Sequence, residues 1–353
     1  MNSFFKSTQY KNWIKTKEEL QKIAKSKLDK INKRINEVNK IIEEENKVKA
    51  EKIKNKQLDE SKAELKKYIN PKKVFLNLND EKFLLINYSK KLIKILNSQK
   101  DNSTNLKNTA VSYFRRFFLK KSILDYNANF LMAGAFRLGA KISSMNYSNN
   151  DYLTIFPILQ HNWNKLNEYE FYLCTILEYD FYVYNPYQAL LGIIHILEQK
   201  EFFLTQDKDN YIDQDDFKKD CMTVIDNMYL TDIIFLYTYS EIALASIFIQ
   251  CEYNNININN IAEKLDFDKS LNIKNFIDNQ VKDMKQMLDE IPKYESQSEE
   301  DTKIKEIDRN VRHFLRNFPL YQTQLDNERV NLKNKMKIFD ENFKQFEKPK
   351  EKK

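Results

Sequence analysis

The scarcity of glycine constrains the fold of this chain more than any other feature. Its 353 residues include only three glycines, Gly134, Gly139 and Gly192. All-β folds need glycine at tight turns and bulges, and phosphate-binding loops are built on it. The composition therefore predicts an α-helical protein and argues against nucleotide-binding enzymes. The stretch from Gly134 to Lys141 only approximates a phosphate-binding loop, and we interpret it as helix.

The cysteines and histidines do not have the spacing of a metal centre or a disulfide framework. Cys174, Cys221 and Cys251 are far apart and odd in number, and no CxxC motif occurs. The three histidines do not cluster either. We therefore expect no cofactor, no bound metal and no structural disulfide, as is typical of a reducing compartment.

Charge and hydropathy predict a soluble intracellular protein that binds neither membranes nor nucleic acids directly. The N-terminus does not read as a signal peptide. The longest apolar run, Tyr237–Cys251, falls short of the ~18 residues that span a membrane. The net charge of +7 is modest for 353 residues and does not require a nucleic-acid partner. No constellation of catalytic side chains occurs, so the residues favour an interaction protein over an enzyme.

Both ends of the chain carry an apolar seam with heptad spacing. The N-terminal seam consists of Ala24, Leu28, Ile31, Ile35, Val38 and Ile42. The C-terminal seam consists of Leu325, Leu332, Met336, Phe339, Phe343 and Phe346. Each seam is too short for an independent coiled coil, so we expect both helices to pack on their own protein. The charge run beyond Glu43 is expected to be solvated and mobile.

Between these ends, the pattern of apolar residues predicts ten helices in two groups of five. Asp80, Ser103, Asn127 and Asn149 are the predicted N-caps in the first group. The first group covers Glu81–Leu96, Thr104–Leu119, Asn127–Ile142, Asn149–Gln160 and Lys165–Glu178. The second covers Gln188–Gln199, Asp215–Tyr229, Tyr239–Cys251, Ile258–Leu265 and Asn275–Glu290. When Leu119 is aligned with Leu230, apolar residues match apolar ones and Gly134 matches Ala245, which indicates a duplication. The predicted domains are 1–70, 71–185, 186–300 and 301–353.

A series of short motifs, in order along the chain, resembles the cyclin family, and within it the cyclin H group of transcriptional cyclins. The motifs are Ser7–Trp13, Thr109–Leu119, Glu168–Leu173, Asn185–Tyr187 and Leu230–Ala245. The resemblance implies an all-α fold with two tandem five-helix cyclin boxes flanked by N- and C-terminal helices.

The resemblance also implies a function. Cyclins of this group are regulatory, non-catalytic subunits of the CDK-activating kinase. That kinase phosphorylates CDK activation loops and, within TFIIH, the C-terminal repeats of RNA polymerase II. The implied partners are a cyclin-dependent kinase, a RING-finger assembly factor and TFIIH. The implied location is the nucleus, with the cytoplasm as a second location.

The same resemblance assigns a kinase-binding site. Lys141 and Glu170 are expected to lie together on the kinase-facing surface. Leu138, Ile142 and Leu173 are expected to be the apolar residues around them. Two alternatives stay open, namely another transcriptional cyclin and a TFIIB-like DNA-bound transcription factor. The latter class carries a zinc ribbon, which the lack of a CxxC motif argues against.

Overall fold

The structure, a computed structural model, describes residues 3–54, 78–99, 103–203, 213–256, 261, 265, 275–294 and 296–346. All regular secondary structure in these residues is helical, as the glycine content predicts. The predicted helix Ile258–Leu265 lies almost entirely outside the described residues.

The described residues contain the following helices, in order along the chain. In the first half they are α1 (Thr8–Trp13), α2 (Lys17–Lys54), α3 (Leu78–Asn97), α4 (Thr104–Lys120), α5 (Ala128–Ile142), α6 (Asn149–Ile155) and α7 (Trp163–Ile176). In the second half they are α8 (Pro186–Gln199), α9 (Gln214–Met228), α10 (Ile233–Leu236), α11 (Tyr239–Tyr253), α12 (Lys282–Asp289), α13 (Gln297–Asn317) and α14 (Pro319–Phe346). Single 3₁₀ turns occur at Ser3–Lys6 and Pro157–Leu159, and a π-helical turn, Phe276–Val281, leads into α12.

The chain divides into two compact units. One unit comprises Met1–Ile23 and Glu81–Glu295, and the other comprises Ala24–Asp80 and Ser296–Lys353. The first unit, the bundle unit, contains both predicted five-helix groups. The second, the terminal unit, contains most of α2 together with α13 and α14. The predicted domain boundaries at residues 70, 185 and 300 stay predictions.

Side-chain caps define the helix starts. Ser103 accepts a hydrogen bond from the backbone of Leu106, and Asn127 caps α5, both as predicted. The N-cap predicted at Asn149 lies one residue earlier, at Ser148. Ser148 caps α6 through a reciprocal capping box with Asp151. The predicted cap Asp80 instead lies inside α3, which begins at Leu78.

In the bundle unit, α4 is buried on every face. Its buried residues run without interruption from Leu106 to Phe118 and include Arg115 and Arg116. Arg115 donates to the carbonyl of Thr231 at 3.0 Å and pairs with Asp232 at 2.8 Å. A helix of the first bundle thus makes a buried ionic contact with the second.

The two bundles share one plan, as the duplicated sequence pattern indicates. In the first bundle, α5 packs against both α4 and α7. In the second, α11 occupies the matching place and packs against α8 and α9. Both central helices are rich in buried small residues, among them Ala135 in α5 and Ala245 in α11. Small side chains let neighbouring helices approach closely, so each bundle closes around its third predicted helix.

In the terminal unit, four of the six residues of the predicted α2 seam are buried, whereas Ala24 and Leu28 are half-buried. Ile35 and Val38 are fully buried, and Ile31 and Ile42 nearly so. From the same helix, Arg34 donates to the Tyr321 hydroxyl at 2.9 Å and to both carboxylate oxygens of Glu328 at 3.0–3.1 Å. The middle of α2 therefore contacts the first half of α14.

Two further predictions concern the terminal helices. Leu325 of the C-terminal seam is buried, whereas Leu332, Met336, Phe339, Phe343 and Phe346 lie outside the side chains that the structure describes. The charge run beyond Glu43, expected to be mobile, continues α2 as a helix to Lys54. Charges spaced one turn apart support this helix, as in the Glu43–Lys47 pair at 2.7 Å. The mobility of this run stays a prediction.

The burial of the α2 seam is tested by two identical substitutions on that helix. Val38 is 0% exposed and Val48 is 49% exposed. Val38→Ala should lower the free energy of unfolding by about 2 kcal/mol, because it removes two buried methyl groups and leaves a cavity. Val48→Ala should change it by less than about 0.5 kcal/mol. Urea denaturation followed by circular dichroism measures both, and equal effects would contradict the packing of α2.

Candidate functional site

The predicted pair Lys141–Glu170 forms in the structure. Lys141 lies in the last turn of α5, where a cation interacts favourably with the helix dipole, and Glu170 lies in the middle of α7. The Lys141 ammonium donates directly to Glu170 Oε1. The side chain of Lys141 is 53% exposed, whereas that of Glu170 is only 13% exposed. The pair is therefore a mostly buried carboxylate capped by an accessible ammonium.

The close approach of α5 to α7 brings the pair together. A Cβ atom at Gly134 would lie 3.2 Å from the backbone nitrogen of Glu170 and 3.3 Å from the carbonyl carbon of Tyr169. A Cβ atom at Gly139 would lie 3.2 Å from both Cβ and N of Ala110, in α4. Glycine at these positions lets the backbones meet. Lys141, about two turns beyond Gly134, consequently reaches Glu170.

A second cation, which the sequence reasoning missed, completes the site. Arg137 Nε lies 3.4 Å from Glu170 Oε2, and Arg137 Nη1 donates to Asn167 at 2.6 Å. The guanidinium also lies over the ring of Trp163, at 5.9 Å from its centroid. The available signal was helical spacing, because Arg137 precedes Lys141 by one turn and shares its face.

The carboxylate of Glu170 affects a neighbouring thiol. The pKa of Cys174 is raised to about 11, first by burial and second by the negative charge of Glu170, and the positive charge of Lys141 opposes that rise. Cys174 follows Glu170 by one turn of α7 and is half-buried. Its titration therefore reports on the charge of the pair.

The three apolar residues predicted beside the pair lie at different depths. Leu138 and Leu173 are buried in the core, and only Ile142 is accessible, at 45% exposure. Leu138 and Leu173 thus lie in the core beneath this surface. The accessible candidate surface consists of Lys141, Ile142 and the edge of Glu170.

No metal centre accompanies this surface. Within the described residues, no group of three or more His, Cys, Asp or Glu side chains could hold a metal ion. The three cysteines are free thiols, of which Cys221 and Cys251 are buried. Among the described helices, none is long and apolar enough to span a membrane.

The duplicated helical bundles resemble the cyclin fold. Residues 185–289 match the family model described as the cyclin C-terminal domain. The second bundle is therefore similar to a cyclin C-terminal domain. The resemblance found in the sequence is confirmed.

The chain is similar to curated proteins that are named as cyclins or as a cyclin-like subunit. The chain is 30% identical over 146 residues to the RNA polymerase II holoenzyme cyclin-like subunit of Saccharomyces cerevisiae, covering 40% of this chain and 43% of that protein. It is 25% identical over 250 residues to cyclin mcs2 of Schizosaccharomyces pombe, covering 70% and 69%. It is 26% identical over 196 residues to Cyclin-H1-1 of Arabidopsis thaliana, covering 56% and 54%. The matches to the first and third relatives thus span about half of those proteins.

Solved structures share the fold. A chain of the CAK complex from Chaetomium thermophilum bound to ATP-γ-S matches with a TM-score of 0.61 at 17% identity, covering 99% of this chain and 96% of that chain. A chain of the yeast TFIIK complex (Kin28/Ccl1/Tfb3) matches with a TM-score of 0.55 at 20% identity, covering 80% and 99%. The predicted all-α cyclin architecture is confirmed.

The role of Gly134 in positioning the pair is tested by replacing Gly134 with alanine and, as a control, replacing Gly192 with alanine. Gly134→Ala should destabilise the protein by about 1–2 kcal/mol, because the added methyl group forces two backbones apart. Gly192→Ala, on α8, should instead stabilise it by about 0.5–1 kcal/mol, since nothing lies within 4 Å of a Cβ there and alanine favours the helix. Thermal and urea denaturation measure both, and a stabilising Gly134→Ala would overturn the close approach.

The coupling between Glu170 and Cys174 is tested by alkylation across a pH series. Glu170→Gln removes the negative charge, so the pKa of Cys174 should fall and its reaction with iodoacetamide at pH 9 should accelerate severalfold. Lys141→Ala should have the opposite effect, because that cation lowers the same pKa. Mass spectrometry assigns the modified cysteine. Shifts in the same direction in both variants would contradict the geometry.

Proposed function

We propose that this chain is the regulatory cyclin of a cyclin-dependent kinase of the CDK-activating and TFIIH class, and that it has no catalytic activity of its own. The observation that carries the proposal is the Lys141–Glu170 pair beside exposed Ile142, at one accessible edge of a cyclin fold. The kinase substrates would be CDK activation loops and the C-terminal repeats of RNA polymerase II.

The chemistry of the pair suits capture of a polypeptide backbone. Lys141 has three ammonium donors, and its side chain remains 53% exposed while it contacts Glu170. Docking of a kinase segment would desolvate the ammonium and let it donate to backbone carbonyls, while Ile142 is covered. Glu170, held by Arg137 from the other side, keeps the ammonium in place. Binding energy would therefore come from a preorganised cation with an apolar neighbour.

Activation follows from preferential binding. The cyclin would bind the kinase conformation in which helix αC lies inward and the kinase Lys–Glu ion pair is formed. Because a ligand shifts an equilibrium towards the state it binds better, this interaction alone raises the active population. No side chain of this chain takes part in phosphoryl transfer.

The names of the relatives support a transcriptional setting. Similarity to an RNA polymerase II holoenzyme cyclin-like subunit, and the shared fold with chains of CAK and TFIIK complexes, support a kinase partner and a nuclear location. A RING-finger assembly factor and TFIIH complete the proposed partners. A cytoplasmic location stays a prediction.

A second candidate is a cyclin of the RNA polymerase II holoenzyme with a different kinase. The observation that favours it is the 30% identity to the S. cerevisiae holoenzyme subunit. Purification of the tagged chain from its own cells, with mass spectrometry of the bound kinase, separates the two. Recovery of a CDK-activating kinase with TFIIH subunits supports the first proposal, and recovery of a holoenzyme kinase supports the second.

The kinase interface is tested by charge removal with a matched control. Lys141→Ala should weaken kinase binding about 30-fold or more, because it strands a buried charge at a cost of roughly 2–5 kcal/mol. Glu170→Ala should do the same. Lys165→Ala is the control, since Lys165 is 47% exposed and also pairs with a glutamate, Glu168. Surface plasmon resonance measures binding, and melting curves verify folding.

Binding and melting curves together distinguish a loss of the kinase interface from a loss of folding. Folded Lys141→Ala and Glu170→Ala variants that bind the kinase within about twofold of the unmodified chain would show that the interface lies elsewhere. Loss of binding in Lys165→Ala as well would point to a general charge effect on the bundle unit.

A further inference from the structure

Arginine and lysine are used differently in this chain. The 58 lysine and arginine residues include only eight arginines. Five of these eight are buried or pair with a carboxylate, namely Arg34, Arg115, Arg116, Arg137 and Arg329. Lysine therefore supplies most of the solvated positive charge, and these arginines occur where a planar, always charged guanidinium makes a contact.

The three remaining arginines lie together on α13. Arg309, Arg312 and Arg316 are spaced by three and four residues, so they share one face of the helix. Lys305, one turn before Arg309, extends the row. All four residues are exposed. We call these four residues the basic stripe.

The packing of α13 does not require the basic stripe. The helix is amphipathic, and its buried residues Ile307 and Phe314 lie on the face opposite the stripe. Glu306 and Asp308, the acidic residues within one turn of the arginines, lie on either side of the row. No carboxylate of α13 therefore interrupts the row between Lys305 and Arg316.

The guanidinium groups of the stripe have no ionic partner in the part of the chain that the structure describes. The one contact they make there is from Arg312 Nε to the backbone carbonyl of Asp308, at 3.3 Å on the same helix. The terminal nitrogens of all three arginines are thus available. This differs from the other arginines of the chain, whose guanidinium groups are engaged within the protein.

The geometry of the stripe fits an extended polyanion better than a single phosphate group. At about 1.5 Å per residue, the row from Lys305 to Arg316 spans about 16 Å. Side chains on the convex surface of one helix do not converge on a single point, as capture of one phosphate would require. Duplex DNA carries one negative charge per ~1.7 Å of its axis, so a row of this length lies beside several phosphates. The guanidinium fork also matches the oxygens of a phosphate.

The surroundings of the stripe favour duplex DNA over other nucleic acids. Proteins that bind single strands stack the bases on aromatic side chains. The only Phe, Tyr or Trp residue of α13 is Phe314, which is 1% exposed. The major groove of double-stranded RNA is deep and narrow, whereas that of B-DNA admits an α-helix.

We propose that the basic stripe of α13 binds the phosphate backbone of duplex DNA without base specificity. Arg309, Arg312 and Arg316 are the principal donors, and Lys305 adds a fourth positive charge. The sequence-based expectation of no direct nucleic-acid partner rested on the net charge of +7, which does not show how the charges are distributed. The proposal does not depend on the kinase-binding function.

The test is fluorescence anisotropy of a labelled DNA duplex of arbitrary sequence, titrated with the full chain over a series of KCl concentrations. The logarithm of the association constant should fall linearly with the logarithm of the salt concentration. The slope should be about −3 to −4, because each neutralised phosphate contributes about −0.9 and the stripe has four cations. A second duplex of unrelated sequence should bind with the same affinity.

The variant Arg309→Gln/Arg312→Gln/Arg316→Gln removes the stripe while keeping side chains that favour a helix. Its affinity for the duplex should fall at least tenfold, and its salt slope should move to about −1, since three of the four phosphate contacts are lost. Circular dichroism and melting curves verify its folding. The salt slope of the unmodified chain tests the proposal even if this variant does not fold.

The matched control is Lys30→Gln/Lys33→Gln/Lys40→Gln, on α2 of the same unit. It removes the same charge from three exposed lysines, and exposed Glu37 lies on their face and interrupts the row. Its affinity should stay within about twofold of that of the unmodified chain, with an unchanged salt slope. An equal loss in both variants would overturn the proposal, because it would show an effect of net charge alone.

Oligo(dT) and poly-L-glutamate test other polyanions in the same assay. Weaker binding of both than of the duplex supports the proposal. Tighter binding of oligo(dT) would assign the stripe to single strands, and saturable binding of poly-L-glutamate alone would assign it to an acidic polypeptide. Either result, or no binding of the duplex at low salt, would overturn the proposal.

Discussion

The close approach of α5 to its two neighbours is the constraint on which the first bundle and the candidate site depend. It occurs where a Cβ atom at Gly134 or Gly139 would press on the backbone or on Ala110. A chain with three glycines in 353 residues places two of them at these contacts. The resulting register sets Lys141 beside Glu170, so the same packing that closes the bundle also builds a charged surface feature. Stability and recognition are therefore linked through one helix.

Much of the fold could be predicted because its determinants are local. Helix positions follow from apolar periodicity and caps such as Ser103 and Asn127, and the duplication is visible in register. The Lys141–Glu170 pair was predicted only through the family resemblance, since nothing in their sequence separation implies contact. Arg137 was missed, because its partner lies on another helix, and burial of Glu170 depends on how closely two backbones meet. The burial of Glu170 is a result of helix packing, which the composition of the chain does not predict.

The buried cations of α4 show a different limit of sequence reasoning. Arg115 and Arg116 are adjacent and both are buried, yet their surroundings differ. Arg115 pairs with Asp232, whereas the guanidinium of Arg116 lies over the Trp13 ring. Two adjacent arginines in a sequence do not show which of them forms an ion pair and which packs on an aromatic ring. The distinction appears only when the partners contributed by α1 and the second bundle are known.

The positions of the two tryptophans have a spectroscopic consequence. Trp13 and Trp163 are the sole tryptophans of the sequence. Trp13 lies under the guanidinium of Arg116, and Trp163 lies under that of Arg137, beside the candidate kinase-binding pair. Replacing Trp13 with phenylalanine leaves a chain whose tryptophan emission comes from Trp163 alone. Changes at the Lys141–Glu170 pair can then be followed without a label.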